Sequence, residues 1–266
     1  ELFFLERFIK KGYLIADLKF NFDEFGTLKE DYNVNGLLKE GEISIFKKNK
    51  LEKINFLFNI TKNNFNFTDI RFDINNINFL SERLNVKKDK KDYLLKGIIR
   101  NKNSPLNDEL LQIIKLKYPQ FNLINTNFES NNDFSFNINN KFKVKNLTIN
   151  SSILIDSSQF KKNNLISKSF IEINDLIDIK DHEIKASYAN KKLSIKGKGQ
   201  VKLQNKFELI DYEIINNGSD LNLVSSIELR ELYIKNQLLI KEYLPKTRDI
   251  LNLKDHKIEL NYQDNI

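Results

Sequence analysis

The sequence predicts a mainly β protein: a long, antiparallel, repetitive and curved open sheet, a β-groove, with a few short helices. Three observations predict it. Apolar residues recur at every second position through most of the 266 residues, a period that places alternate side chains on opposite faces of a strand. Connectors rich in Asn and Lys, a few residues long, separate the runs and suit hairpins better than the crossovers of a parallel sheet. The apolar side of each run, often phenylalanine, is more than the few helical segments can cover, since a helix is only about 10 Å across.

The elements follow in chain order. The opening ELFFLERFIKK is a helix candidate interrupted by charge. INFLFNI puts Ile54, Phe56, Phe58 and Ile60 on one side of a strand and Asn55, Leu57 and Asn59 on the other. TKNN then turns the chain, and FNFTDIRFDI resumes with Phe65 and Phe67, slips by one residue, and continues with Ile70, Phe72 and Ile74; the slip suggests a bulge. In SPLNDELLQIIKLKYPQ, Ser104 is a candidate cap and Pro105 the first helical residue, predicting a helix near Ser104 to Tyr118. Strands return with Phe134, Phe136 and Ile138, then Phe142, Val144, Leu147 and Ile149, then Ile153 and Ile155. Leu193, Ile195, Val201, Leu203, Phe207 and Leu209 alternate with polar residues, and the GKG at Gly197 to Gly199 reads as a bend or bulge inside that strand. A last helix is predicted near Asn236 to Leu251.

Composition narrows the function classes. The chain has no Cys, which excludes disulfides, thiolate metal sites and cysteine nucleophiles. It has no Met, so it reads as a processed product or a fragment. The bias to Lys, Asn, Ile and Phe is what A/T-rich codons produce. A net charge of +7 raises nucleic acid or an anionic surface as partners. The lysines nonetheless fall in short runs beside Asn or Asp: Lys47, Lys48 and Lys50; Lys87, Lys88, Lys90 and Lys91; Lys161 and Lys162; Lys191 and Lys192. Solvated hairpin tips explain them. No stretch approaches the roughly 20 uninterrupted apolar residues of a membrane helix.

Two segments nearly repeat, LIDIKDHEIKASY (Leu176–Tyr188) and ILNLKDHKIELNY (Ile250–Tyr262), and they hold both histidines. At one constant offset of 74 residues, Lys180 falls on Lys254, Asp181 on Asp255 and His182 on His256. Each KDH reads as a turn entering a strand. Equivalent positions in two repeated units are held apart, so His182 and His256 are expected to bind no metal together. The whole chain reads as part of one repetitive domain, 1–266, with possible repeat units at about 106–190 and 191–266.

A one-sided sheet must bury its apolar face, each large side chain contributing about 1.5–3 kcal/mol. Sheet folded on sheet, a closed barrel, or a curved sheet filled by another substance, such as lipid acyl chains, would all serve. GYLIADLKFNFDEFGTLKEDYNVNGLLKEGEISI followed by KINFLFNITKNNFNFTDIRFDINNINF, with the GLLKEGEISI turn at Gly36 to Ile45, resembles the repeating segments of the AsmA-like family of Gram-negative envelope proteins. The resemblance extends loosely over most of the chain, including LPKTRDILNLKDHKIELNY. It implies a U-shaped groove with an apolar interior. It further implies a periplasmic protein, tied to the inner membrane by an anchor outside this chain, that carries phospholipid toward the outer membrane.

The lipid-contacting residues are then expected to be Phe56, Phe58, Ile60, Phe65, Phe67, Phe72 and Ile74, all facing one trough. No chemistry is required of such a bridge, and neither enzyme activity nor a cofactor is expected. There is no Gly-rich phosphate loop and no G-x-S-x-G elbow. Asp23 and Glu24 sit in turn-like sequence, and the glycosylation patterns at Asn66 to Thr68 and Asn146 to Thr148 fall within strands. A closed β-repeat scaffold at a cell surface is the competing function. A nucleic-acid-binding β-domain ranks below both, because Phe alternates with Asn and Asp as often as with Lys.

Overall fold

The computed structural model describes residues 9–29, 31–45, 49–89, 92–107, 123–141, 143–161, 176–218, 220–235, 242–243, 245–246 and 250–265. They form β1 (Ile9–Lys19), β2 (Asn33–Ile45), β3 (Asn49–Thr61), β4 (Asn64–Ile74), β5 (Ile77–Asp89), β6 (Asp92–Pro105) and β7 (Leu123–Ile124). Then follow β8 (Asn127–Asn139), β9 (Val144–Lys161), β10 (Leu176–Ala189), β11 (Lys192–Lys202), β12 (Phe207–Asn216), β13 (Asp220–Lys235) and β14 (Ile250–Asn265). All belong to one open 14-stranded antiparallel sheet in chain order, with β7 set aside to pair with β9. The strand class expected from period two is what the chain adopts.

Two compact units divide the chain. The first comprises Glu1–Ser104, Glu129–Ser151 and Ser187–Asn190, and the second Pro105–Phe128, Ser152–Ala186 and Lys191–Ile266.

In the first unit, strand registers line side chains up in rows that cross the strands. Ala16, Gly36, Phe58, Phe67, Leu84 and Gly97 form one row, and Leu18, Val34, Ile60, Phe65, Val86 and Leu95 another. Between them, pointing to the other face, run Asp17, Asn35, Asn59, Asn66, Asn85 and Lys96. This polar row bonds along itself: Asn59 Nδ2 donates to Oδ1 of Asn35 at 2.6 Å and of Asn33 at 2.8 Å. TKNN turns the chain between β3 and β4, and the Asn75–Asn76 hairpin, with φ of 50° and 63°, is a two-residue turn of the kind Asn favours.

Bulges set the core. Glu40, Lys53, Asp69 and Asn146 have φ of 53°, 49°, 52° and 52° in mid-strand, a left-handed conformation that costs a residue with a Cβ about 1–2 kcal/mol and that Asp and Asn tolerate best. Each is exposed, and the next residue turns inward: Gly41, Ile54 and Ile70 are buried and Leu147 half-buried. The register shifts between Leu38 and Gly41 and between Glu52 and Asn55 are these insertions. Around them packs the cluster of Leu38, Ile54, Ile70 and Phe72. The one-residue slip expected after Phe67 is therefore the Asp69 bulge.

The second unit repeats the device at Asp181 and Asp255, with φ of 50° and 51°. Both KDH tripeptides thus lie inside β10 and β14, not at turns as expected, because Asp tolerates the left-handed region in a bulge as readily as in a turn. Gly197 and Gly199 also depart from expectation. β11 pairs with β12 in unbroken register from Leu193↔Asn216 to Lys202↔Phe207, so GKG forms no bulge. What the glycines provide is room for rings: a Cβ on Gly197 would lie 2.7 Å from Tyr212 Cε1, and one on Gly199 would lie 2.6 Å from His182 Cγ. Ile177 and Val201 form the apolar core beside them, with Phe160, Leu203 and Ile210 packed against it.

Leu209 faces solvent at 48% exposure while Glu208 is buried, the reverse of the predicted alternation. The reason is where β12 stops. Its pairing with β13 runs only to Leu209↔Glu228, and beyond that point side chains satisfy the β13 backbone. The Glu208 carboxylate accepts the N–H groups of Arg230 and Glu231. Gln204 accepts from Tyr233 N at 2.9 Å and donates to Tyr233 O at 2.8 Å, as a further strand would.

The predicted helices are corrected where they are described. Ser104 and Pro105 end β6, with Ser104 Oγ donating to Lys102 O, so neither starts a helix; residues 108–122 lie outside the described part. Ile9–Lys11 belong to β1, and 1–8 lie outside. Of 236–251, Glu242 and Tyr243 are helical and Ile250 and Leu251 are strand. Here β propensity and pairing outweigh the weak helical spacing.

Candidate functional site

The seven residues singled out from the sequence share one face of the first unit. Phe58 opposes Phe67 and Ile60 opposes Phe65 across β3 and β4, while Ile74 opposes Leu51 on one side and Ile77 on the other. Ring contacts knit them together: Phe56 meets Phe67 edge-on at 5.3 Å and Phe58 at 6.2 Å, and Phe65 meets Tyr93 of β6 at 6.1 Å. Phe72 stacks on Phe79 of β5 at 5.6 Å. Such pairs contribute about 0.5–1.5 kcal/mol beyond the area they bury. Phe58 and Phe72 are 7% and 8% exposed, and the other five are half-buried.

Phe58 is the most enclosed of the β3 rings because it lies over Gly36, where a Cβ would come within 2.9 Å of its Cε1. The same ring-on-glycine contact recurs at Gly97, whose Cβ would lie 3.1 Å from Phe134 Cζ. Leu38, Leu84 and Ile99 extend the face and were not singled out from the sequence, while Ile54 was read on the apolar side of its strand but not among the lipid-contacting residues. Leu38 and Ile54 are the deepest members of the cluster, at 2% and 3% exposure. The signal that could have found them is the charged residue two or one positions away, Glu40 or Lys53, that takes the bulge.

Charges stay off this face. Lys53 Nζ pairs with Asp73 Oδ2 at 2.8 Å, raising the lysine's pKa. Burial pushes the Asp73 carboxyl up, but hydrogen bonds from Lys53 and Asn78 outweigh it and leave the group below its usual range. Lys50 and Lys11 hold Glu42 below its usual range in the same way. Asp23 sits in a solvated turn, its Oδ1 accepting the N–H of Phe25 and of Thr27.

The histidines lie in the second unit. His182 is buried at 7% exposure and stacks on Tyr212 at 5.7 Å. Burial depresses its pKa and raises that of Tyr212, and its Nδ1 has no hydrogen-bond partner. His256 is exposed and its Nδ1 contacts Lys254 O. Among the described residues, no three His, Asp or Glu side chains come together as metal ligands would, and no helix is long and apolar enough to cross a membrane. Compared with family models, curated proteins and solved structures, the chain matches none.

Proposed function

We propose that the apolar face of β2 to β6 holds phospholipid acyl chains, and that the protein is a segment of a lipid-carrying bridge in the periplasm of a bacterial envelope. One observation carries this reading. Every member of the apolar cluster, from Leu38 and Ile43 through Phe56, Phe67 and Phe79 to Ile99, belongs to consecutive strands of a single sheet. No second layer among the described residues contributes a side chain to it. Large apolar faces of this kind are rare in soluble proteins without a ligand or partner, and hydrocarbon satisfies such a face without directional bonds.

The rows of the first unit support a path as well as a patch. Gly36–Phe58–Phe67–Leu84–Gly97 and Val34–Ile60–Phe65–Val86–Leu95 cross the strands without a polar interruption. Acyl chains aligned with those rows would slide across strands while head groups stay in water. Weak head-group selectivity follows, because the charged groups nearest the face are already paired.

Lipid extraction and native mass spectrometry of the gently purified protein test the proposal, with Phe67→Asp as the variant. Phe67 is half-buried between Phe56 and Phe58, so a carboxylate there puts a charge in the path at a cost of several kcal/mol unless it reaches water. The parent protein should carry phospholipid, and the variant should lose it while keeping its β circular dichroism. A parent protein that holds no lipid and takes up no fluorescent phospholipid would overturn the lipid-carrying reading and leave a structural β-repeat scaffold as the function.

A further inference from the structure

We propose that the outer edge of β14 is a docking site for one extended polypeptide segment patterned like β11. The 74-residue repeat extends from β10 and β14 to the strands before them. Ser151-Ser152-Ile153 of β9 falls on Ser225-Ser226-Ile227 of β13. The buried pair Ile155 and Ser158, at 8% and 3% exposure, falls on Leu229 and Leu232, at 2% and 1%. Two exposed or half-exposed residues lie between the members of each pair. β9–β10 and β13–β14 are therefore two copies of one strand pair, down to the left-handed Asp181 and Asp255.

The copies differ in what lies beyond them. β10 is followed in the sheet by β11, whereas among the described residues β14 has only β13 as a partner. The histidine reports that difference directly: His182 is buried against Gly199 of β11, and its counterpart His256 is bare. From Lys254 to Gln263 every residue of β14 is exposed, including Ile258, Leu260 and Tyr262. A flat, unprotected edge invites pairing with any strand. This one is bulged at Asp255 and admits a strand that has glycine opposite His256, because a Cβ at Gly199 would clash with the His182 ring.

Charge refines the occupant. Across β10 and β11, Lys198 Nζ pairs with Glu183 Oε2 at 3.0 Å, and Gln200 Nε2 donates to Asp181 Oδ2 at 3.3 Å. In the second copy Asp255 keeps the acceptor, but Lys257 stands where Glu183 did. The segment that fits β14 therefore keeps the glycine and the glutamine of β11 and carries an acid in place of the lysine. Pairing of backbone N–H and C=O groups supplies affinity, and these two positions supply selectivity.

Three synthetic peptides of Lys192–Lys202 test this on the whole protein: the native sequence, its Lys198→Glu form and its Gly199→Val form. By fluorescence anisotropy the Lys198→Glu peptide should bind about threefold more tightly than the native one, as an exposed ion pair allows. The Gly199→Val peptide should bind at least tenfold more weakly, as overpacking against His256 requires. On protein carrying Lys257→Glu, the order of the first two peptides should reverse. Hydrogen exchange should show new protection in β14. Failure of all three to bind, equal binding of the valine form, an unchanged order on the Lys257→Glu protein, or protection confined to β10 and β12 would each overturn the proposal.

Discussion

Replacing Gly199 with alanine is the most direct test of how the second unit is held. The new Cβ would lie 2.6 Å from Cγ and 2.8 Å from Cε1 of His182, closer than any real Cβ contact. Either the ring or the strand must move. Overpacking of this kind costs about 1–3 kcal/mol, and displacing the imidazole from Tyr212 forfeits an aromatic contact of about 0.5–1.5 kcal/mol. A loss of about 2–4 kcal/mol is expected, or roughly 5–12 °C in Tm for a domain of this size. In a His182→Ala background the same glycine change meets no ring and should cost less than about 1 kcal/mol. Urea unfolding of the four proteins, followed by circular dichroism, gives the coupling, expected to exceed about 1.5 kcal/mol. Additive effects of the two substitutions would refute the claim that the glycine exists to seat the ring.

Two further expectations follow. Burial lowers the His182 pKa, so the unfolded chain binds the proton more readily than the folded one; stability should fall as pH drops below about 6.5, the unfolded value. Urea midpoints at pH 7.5 and 5.5 should draw together in His182→Gln and not in His256→Gln, whose side chain is exposed. The Glu231 carboxyl, held down to about 2 chiefly by Lys206 and then by Asn252 and Tyr233, acts in a separate and lower window, below about pH 4.5. At the hairpin between β10 and β11, Lys191 has φ of 65°, so Lys191→Gly should raise the unfolding free energy by about 0.5–1 kcal/mol, as read from the same melts.

Much of this fold was legible because strand pairing obeys a local code. Ile54, Phe56, Phe58 and Ile60 alternate in the sequence as they do in β3, and the slip between Phe67 and Ile70 brackets the bulge that the structure places at Asp69. What stayed hidden depends on partners distant in the chain. KDH looked like a turn because a left-handed Asp leaves the same local trace whether the chain reverses or merely steps. The inward Glu208 could not be read from β12, since it answers the N–H groups of Arg230 and Glu231. Gly197 and Gly199 read as a bend or bulge, because the ring that each one seats comes from a neighbouring strand.

Those glycine seats also solve a problem peculiar to repetitive sheets. Where every strand alternates in the same way, sliding one strand past its neighbour by two residues keeps each side chain on its proper face and loses almost nothing in hydrophobic burial. Such a slide is not neutral when a ring has only one notch to enter. Moved two positions along, Phe58 would ride over Leu38 or Val34 instead of Gly36, and Tyr212 would either ride over Ile195 or meet at Gly199 a seat that the His182 ring already fills. Each aromatic–glycine pair works like a key cut for a single position. A chain written in a monotonous alphabet of Asn, Lys, Ile and Phe can thereby specify one alignment out of many that its composition alone would allow.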